Sequence, residues 1–332
     1  MLPLRRFSLL LALFFGCTVI CTQTGNATTP TQNAPTVTAS FDAFWTAARD
    51  EPFPRQEVLW NTYVEAPREA LYRSVVWEVR DNPEWQVSRR KMLQMRFGQY
   101  PRIAPAVPME ARDIETQLHT QTAKLRTLFP EAAAAPRAVI VLAPNFDAKS
   151  GVMPDGTPVL ALAVDSLALE KADLRILLPH ELFHLYDAQH AGVKNDGVMP
   201  NTSLVLPLFA EGLATYVSSV ASPGHSDGQY LFQSDLGKLP PARLRAAARD
   251  FLDVAGTMTL DPVTHATSPL FARWFESDRK PLNPGYPNRA GYWLGMNLVR
   301  QLRRTYSLQQ MASWPPAEAQ RKMLAALSAM AQ

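Results

Sequence analysis

Leu178-Pro179-His180-Glu181-Leu182-Phe183-His184 is the stretch on which the reading of this chain turns. On a helix, positions i and i+4 lie one above the other on the same face. His180 and His184 therefore present two imidazoles side by side, able to converge on one metal ion at the roughly 2.0–2.1 Å of a Zn–N bond. Glu181 is offset by one position. It leans over the same edge without joining the ligand pair, where its carboxylate can take a proton from a metal-bound water. The competing reading is an amphipathic helix carrying two ordinary histidines.

A catalytic zinc usually takes three protein ligands and a water. The candidate third ligand is Glu211, 27 residues after His184 and the only acidic residue between Thr202 and Val220. A lone carboxylate on an apolar helix costs free energy unless it is paired or binds a metal. Gly192 marks the end of the first helix. Gly197 and Pro200 make a loop of Val193 to Asn201, after which a second helix can return antiparallel. The alternative for Glu211 is a partly exposed place on a helix rim. Asp187, three residues after His184, can orient a ligand histidine or simply solvate the helix end, and the latter is favoured. His119, His190, His225 and His265 have no motif around them.

HExxH followed by Glu211-Gly212-Leu213-Ala214-Thr215-Tyr216 resembles the gluzincin metallopeptidases. Phe209 to Val217 is similar to the third-ligand helix of the aminopeptidase-N type. The whole pattern also resembles an uncharacterised bacterial family of zinc-dependent proteases with HExxH and a later EGxAxY. The long spacing favours that bacterial group. The resemblance covers roughly Ala138 to Leu302 and implies Zn2+ held by His180, His184 and Glu211, with Glu181 as general base.

Downstream, Tyr292-Trp293-Leu294-Gly295 resembles the YxxG helix of aminopeptidase-N-like enzymes, which implies that Tyr292 donates a hydrogen bond to the tetrahedral intermediate. A phenol suits an oxyanion that forms only in the transition state, and Gly295 one turn later lets a neighbour come close. The rival reading is a core tyrosine, since Tyr292, Gly295, Val299 and Leu302 form one helical stripe. Gly151-Val152-Met153-Pro154-Asp155 stands where such enzymes carry GxMEN, with Pro154 in place of the amine-binding Glu. The same tetrapeptide recurs at Gly197 to Pro200, so it reads as turn chemistry.

The fold class expected is α+β. A zincin-like, two-lobed catalytic domain over 111–312 joins a small sheet and the active-site helix to a helical lobe. A helical region over 41–110 precedes it, and a helix over 313–332 closes the chain. Phe41, Phe44, Trp45 and Ala48 follow the i, i+3, i+4, i+7 rule. Trp60 to Arg80, Trp85 to Phe97 and Arg112 to Phe129 are further helix candidates, and Pro101, Pro105 and Pro108 mark a loop. Ala138 to Ala143 and Pro158 to Val164 read as strands. Pro179 either starts the HELFH helix or kinks it, and a kink is preferred. By the resemblance, the strand nearest the cleft pairs with an extended substrate backbone. Val159, Leu160, Ala161, Leu162, Ala163 and Val164 are the candidates for it.

Hydrophobic residues make up 47% of the 332 and charged residues 19%, an ordinary globular balance. A net charge of +3 is too small to argue for nucleic acid or an anionic surface. Arg5 and Arg6 followed by an apolar run make 1–27 a targeting segment, too short for a comfortable membrane span. Two processing readings compete: an imperfect lipobox ending at Cys17, and a small-x-small site at Gly25-Asn26-Ala27. Either implies export to the periplasm, cell envelope or medium, with membrane contact only through a lipid on Cys17. Residues 28–40 read as a flexible linker. Cys17 and Cys21 both lie in the leader, so no disulfide supports the folded body. The expectation is thus an exported zinc metallopeptidase acting on peptide or protein substrates. Two alternatives stay open: a non-catalytic envelope lipoprotein or binding module, and a zinc hydrolase of a non-peptide bond.

Overall fold

The computed structural model describes residues 35–78, 83–133, 136–190, 202–260, 267–277 and 282–332. The expected leader with Cys17, most of the expected linker and the expected loop from Val193 to Asn201 lie outside the described residues. The fold is α+β and mostly helical, with one small three-stranded sheet. No helix among the described residues is long and apolar enough to cross a membrane.

The sheet is built from β1 (Ala138–Val141), β2 (Ala148–Val152) and β3 (Pro158–Ala163), in the order β1-β3-β2. β1 runs parallel to β3, with Ala138 opposite Leu160, and β2 runs antiparallel, with Ala148 opposite Leu162. β3 is therefore the central strand, hydrogen-bonded on both sides. This corrects the expectation that Val159 to Val164 meets substrate. A strand already paired on both edges has no ladder left to offer, and Val164 belongs to the next helix. The uninterrupted apolar run is the mark of a strand buried on both faces, and Val159 to Ala163 are all fully buried. β2 was missed by sequence reasoning. Its residues, Ala148-Lys149-Ser150-Gly151-Val152, lack an apolar run because it lies at the edge. Only the second half of the expected turn around Gly151 is a turn. Met153 to Thr157 join β2 to β3, with Gly156 at φ 79°.

Three helices then build the site. The histidine helix, Leu174–His190, packs on β2 and β3 and runs through Pro179 without interruption. The glutamate helix, Val205–Ala221, packs against it, tied by the Ser218 hydroxyl donating to the Ile176 carbonyl at 2.6 Å. The tyrosine helix, Ala290–Leu302, packs against the glutamate helix. The closing helix, Pro316–Ala331, lies against the glutamate and tyrosine helices as well as Pro241–Leu252.

Several expected boundaries move. The first helix begins at Val37, inside the expected linker, because the Thr36 side chain accepts from the Ala39 backbone and caps it. Pro101 and Pro108 start helices instead of marking a loop, since proline fits the first turn, where its missing N–H is not needed. The Val107–Leu128 helix crosses the expected boundary at 110/111. The stretch expected as one helix from Trp60 to Arg80 is broken into wide π-turns at Asn61–Glu65 and Tyr72–Val76 around a tight turn containing Pro67.

The N-terminal helices share one apolar core with the sheet. Tyr72 donates to the Leu142 carbonyl at 2.9 Å, just past β1. Arg96 and Asp165, both fully buried, face each other at 3.5 Å. Asp165 accepts from the Ala143 N–H at 2.8 Å and from Tyr100 at 3.0 Å, while Arg96 donates to Ser166 at 2.7 Å. Removing one partner of such a pair leaves an uncompensated buried charge. Arg96→Met should lower the unfolding free energy by about 3–5 kcal/mol. Urea denaturation checks this, and a loss within error of zero would show that the network is not needed for folding.

Candidate metal centre

His180 and His184 lie one turn apart on the histidine helix, and Glu211 reaches them from the glutamate helix. His180 Nε2 and His184 Nε2 are 3.1 Å apart. Glu211 Oε2 stands 3.2 Å from the first and 3.4 Å from the second. Donors held tetrahedrally at roughly 2.0–2.1 Å from one ion lie about 3.3 Å from each other. The observed triangle fits that spacing. Neither Glu211 oxygen has a well-aligned donor, although both histidine nitrogens lie within 3.4 Å of Oε2. Two imidazole nitrogens and a carboxylate oxygen thus converge on one point. The group can hold a metal ion, and among the described residues it has three members.

Burial and charge work against each other here. Burial opposes the charge on His184, but the Glu211 carboxylate outweighs it and raises the imidazolium to about 9. Burial likewise disfavours the Glu211 carboxylate, yet the two histidines hold it well below the usual carboxylate range. His180, enclosed more completely, is pushed down to about 4 by burial. Glu181 is 3% exposed and its Oε1 has no partner. Burial raises its carboxyl to about 7. Asp187 is raised to about 6 by burial, against the pull of His184 and His190. No hydrogen bond joins Asp187 to either ligand histidine, and His180 Nδ1 is buried without a partner. Asp187 acts on His184 through its charge.

Tyr292 lies in the core and also beside the histidines. It is 2% exposed and part of the core. Its ring also stacks on His180, with centres 6.1 Å apart and planes at 23°. Burial first, then the Glu211 charge, keeps its proton on. It can approach because Gly212 and Gly295 face each other where the two helices cross. A Cβ on either glycine would collide with backbone of the opposite helix. Arg289, which the sequence did not single out, lies beside Tyr292. It is 5% exposed, sits immediately before the tyrosine helix and holds its guanidinium carbon 4.1 Å from the Tyr292 ring centre. No spacing or motif marks it.

No family model matches the chain, and no curated protein or solved structure matches it.

Two expectations follow from this geometry. Metal must displace the proton that Glu211 keeps on His184, so binding releases protons. Between pH 8 and 6, below the His184 value of about 9, apparent affinity for Zn2+ should fall about tenfold per pH unit. In the metal-free chain the raised His184 contributes stability that is fully present below its unfolded value of about 6.5 and is lost as pH rises through about 9. Melting temperatures with and without Zn2+ should therefore diverge as pH rises, and a constant gap would refute the pairing. Gly295→Ala should part the helices, costing about 1–3 kcal/mol by overpacking and releasing metal. Unchanged metal content at unchanged stability would show that the crossing tolerates a side chain.

Proposed function

We propose that this chain is a zinc-dependent metallopeptidase of gluzincin type. His180, His184 and Glu211 would hold the ion, Glu181 would carry the proton, and Tyr292 would stabilise the developing negative charge. One observation carries the reading. A buried carboxylate with an unpartnered oxygen, that of Glu181, stands beside a three-donor centre with tetrahedral spacing. A structural zinc closes with four protein ligands and needs no base. The order small sheet, histidine helix and helical lobe supports a zincin-like arrangement. The resemblance of HELFH and EGLATY to the gluzincins supports peptide bonds as the target. The Arg5-Arg6 pair and the apolar run after it support export, with processing at Cys17 or after Ala27.

When bound, the ion supplies Lewis acidity, which lowers the pKa of a water and polarises a carbonyl. Glu181 accepts the water's proton. Its carboxyl, raised by burial, is acid enough afterwards to pass that proton to the leaving amine nitrogen. Tyr292 stays protonated at working pH and donates to the carbonyl oxygen as charge builds there. The stacked His180 ring and the adjoining Arg289 hold the phenol in place.

The test pairs two variants on one set of unstructured peptides. Glu181→Gln should keep about one zinc per chain and lose nearly all turnover. Tyr292→Phe should keep zinc and melting temperature while kcat falls on the order of a hundred- to a thousand-fold. Hydrolysis undiminished in Glu181→Gln would sink the mechanism. Full activity with a lowered melting temperature in Tyr292→Phe would confine that residue to the core.

A further inference from the structure

Among the described residues, no carboxylate lies in ion-pair contact with the Arg289 guanidinium. Its guanidinium carbon lies 4.1 Å from the centre of the Tyr292 ring and 5.6 Å from that of Phe232. Its Nε is buried without an acceptor. Its field reaches His180, Glu181 and the buried Asp147, yet among the described residues no carboxylate forms an ion pair with it. Enclosing a guanidinium without a partner costs folding free energy. Such a group is well placed for an anion that arrives from outside.

The backbone points the same way. Arg289 has φ 64° and Phe232 φ 49°. Left-handed backbone is uncommon for residues other than glycine and gathers at functional sites. Two such residues meet here, and Arg289 stands at the N-terminal end of the helix that carries Tyr292. The phenol beside the metal centre and the guanidinium are thus set by one piece of backbone.

We propose that Arg289 binds a carboxylate of the substrate, one or two residues beyond the bond that is cut. This rests on the peptidase reading of the metal centre. The guanidinium is a planar fork that matches a carboxylate through two parallel N–H bonds, and two rings lie against it. The ring distances place it within about 10 Å of the His180 ring. An extended peptide advances roughly 3.3–3.6 Å per residue, so the reach corresponds to a carboxylate one or two positions into the leaving segment. Peptides supply that chemistry from two sources: the free C-terminus and an Asp or Glu side chain. In the first case the enzyme trims C-terminal ends; in the second it cuts before acidic residues.

Binding is measured by ligand-observed NMR on the zinc-loaded Glu181→Gln chain, which holds a peptide without turning it over. Metal-free wild type is measured beside it, to exclude direct carboxylate–zinc contact. One probe pair is an N-acetyl dipeptide as free acid and as amide. The other is an amidated tripeptide with Asp or with Asn at its second position. In both protein forms the carboxylate member of at least one pair should bind at least about tenfold tighter, as expected for a bidentate charged contact. Adding Arg289→Gln should abolish the preference, and Arg289→Lys should keep part of it. The first pair alone responding identifies the C-terminus, and the second alone identifies an acidic side chain. Equal binding within both pairs, no binding of any probe, or a preference that survives Arg289→Gln overturns the proposal. If Arg289→Gln does not fold, the acid-versus-amide comparison without it still decides. Turnover by zinc-loaded wild type separates the two readings. A carboxylate preference in binding without hydrolysis of any peptide leaves Arg289 as an anion site and removes the peptidase reading. Hydrolysis with no difference between acid and neutral partners removes only the role of Arg289.

Discussion

The site depends on how closely the glutamate and tyrosine helices cross. Gly212 and Gly295 meet there with no side chain between them. Each glycine is tied to a residue of the candidate site: Glu211 directly precedes Gly212, and Tyr292 lies one turn before Gly295. The same backbone approach that packs the helices thus carries a carboxylate and a phenol to the two histidines. A methyl group at the crossing would have to move one helix, and a metal centre tolerates little displacement of its donors.

Burial sets the chemistry of the groups brought together there. Glu211, His180 and Glu181 are each 3% exposed or less. In such surroundings a charge survives only against an opposite charge. Glu211 keeps its charge through the histidines, and His184 keeps its proton through Glu211. Glu181, with no cation in direct contact, is pushed toward neutrality. Two carboxylates on adjacent helices are thereby given opposite tendencies, one suited to holding a cation and the other to moving a proton.

The N-terminal helices are part of the same body. Arg96 and Tyr100 reach the buried Asp165 just after β3, and Tyr72 reaches the end of β1. These contacts brace the sheet on which the histidine helix rests. Asp165 is pushed up by burial and pulled back mainly by Arg96, so the region contributes its cation as well as its apolar surface.

The sequence by itself determined whatever depends on spacing within one helix. Two histidines four residues apart must share a face, because the helix repeats every 3.6 residues, and Glu181 follows from the same geometry. Glu211 was legible because a single carboxylate in a long apolar stretch needs a partner, and Gly295 because glycine inside a helix invites a close neighbour. Much of the helical content was legible from apolar periodicity. Only the tertiary structure decided that β3 is central, that Ala148–Val152 is a strand, and that Pro101 and Pro108 open helices. It alone joined Arg96 to Asp165 and put Arg289 over Tyr292. Strand order and the meeting of distant charges depend on which surfaces are buried together. That is a property of the whole packed chain, and no local run of residues encodes it.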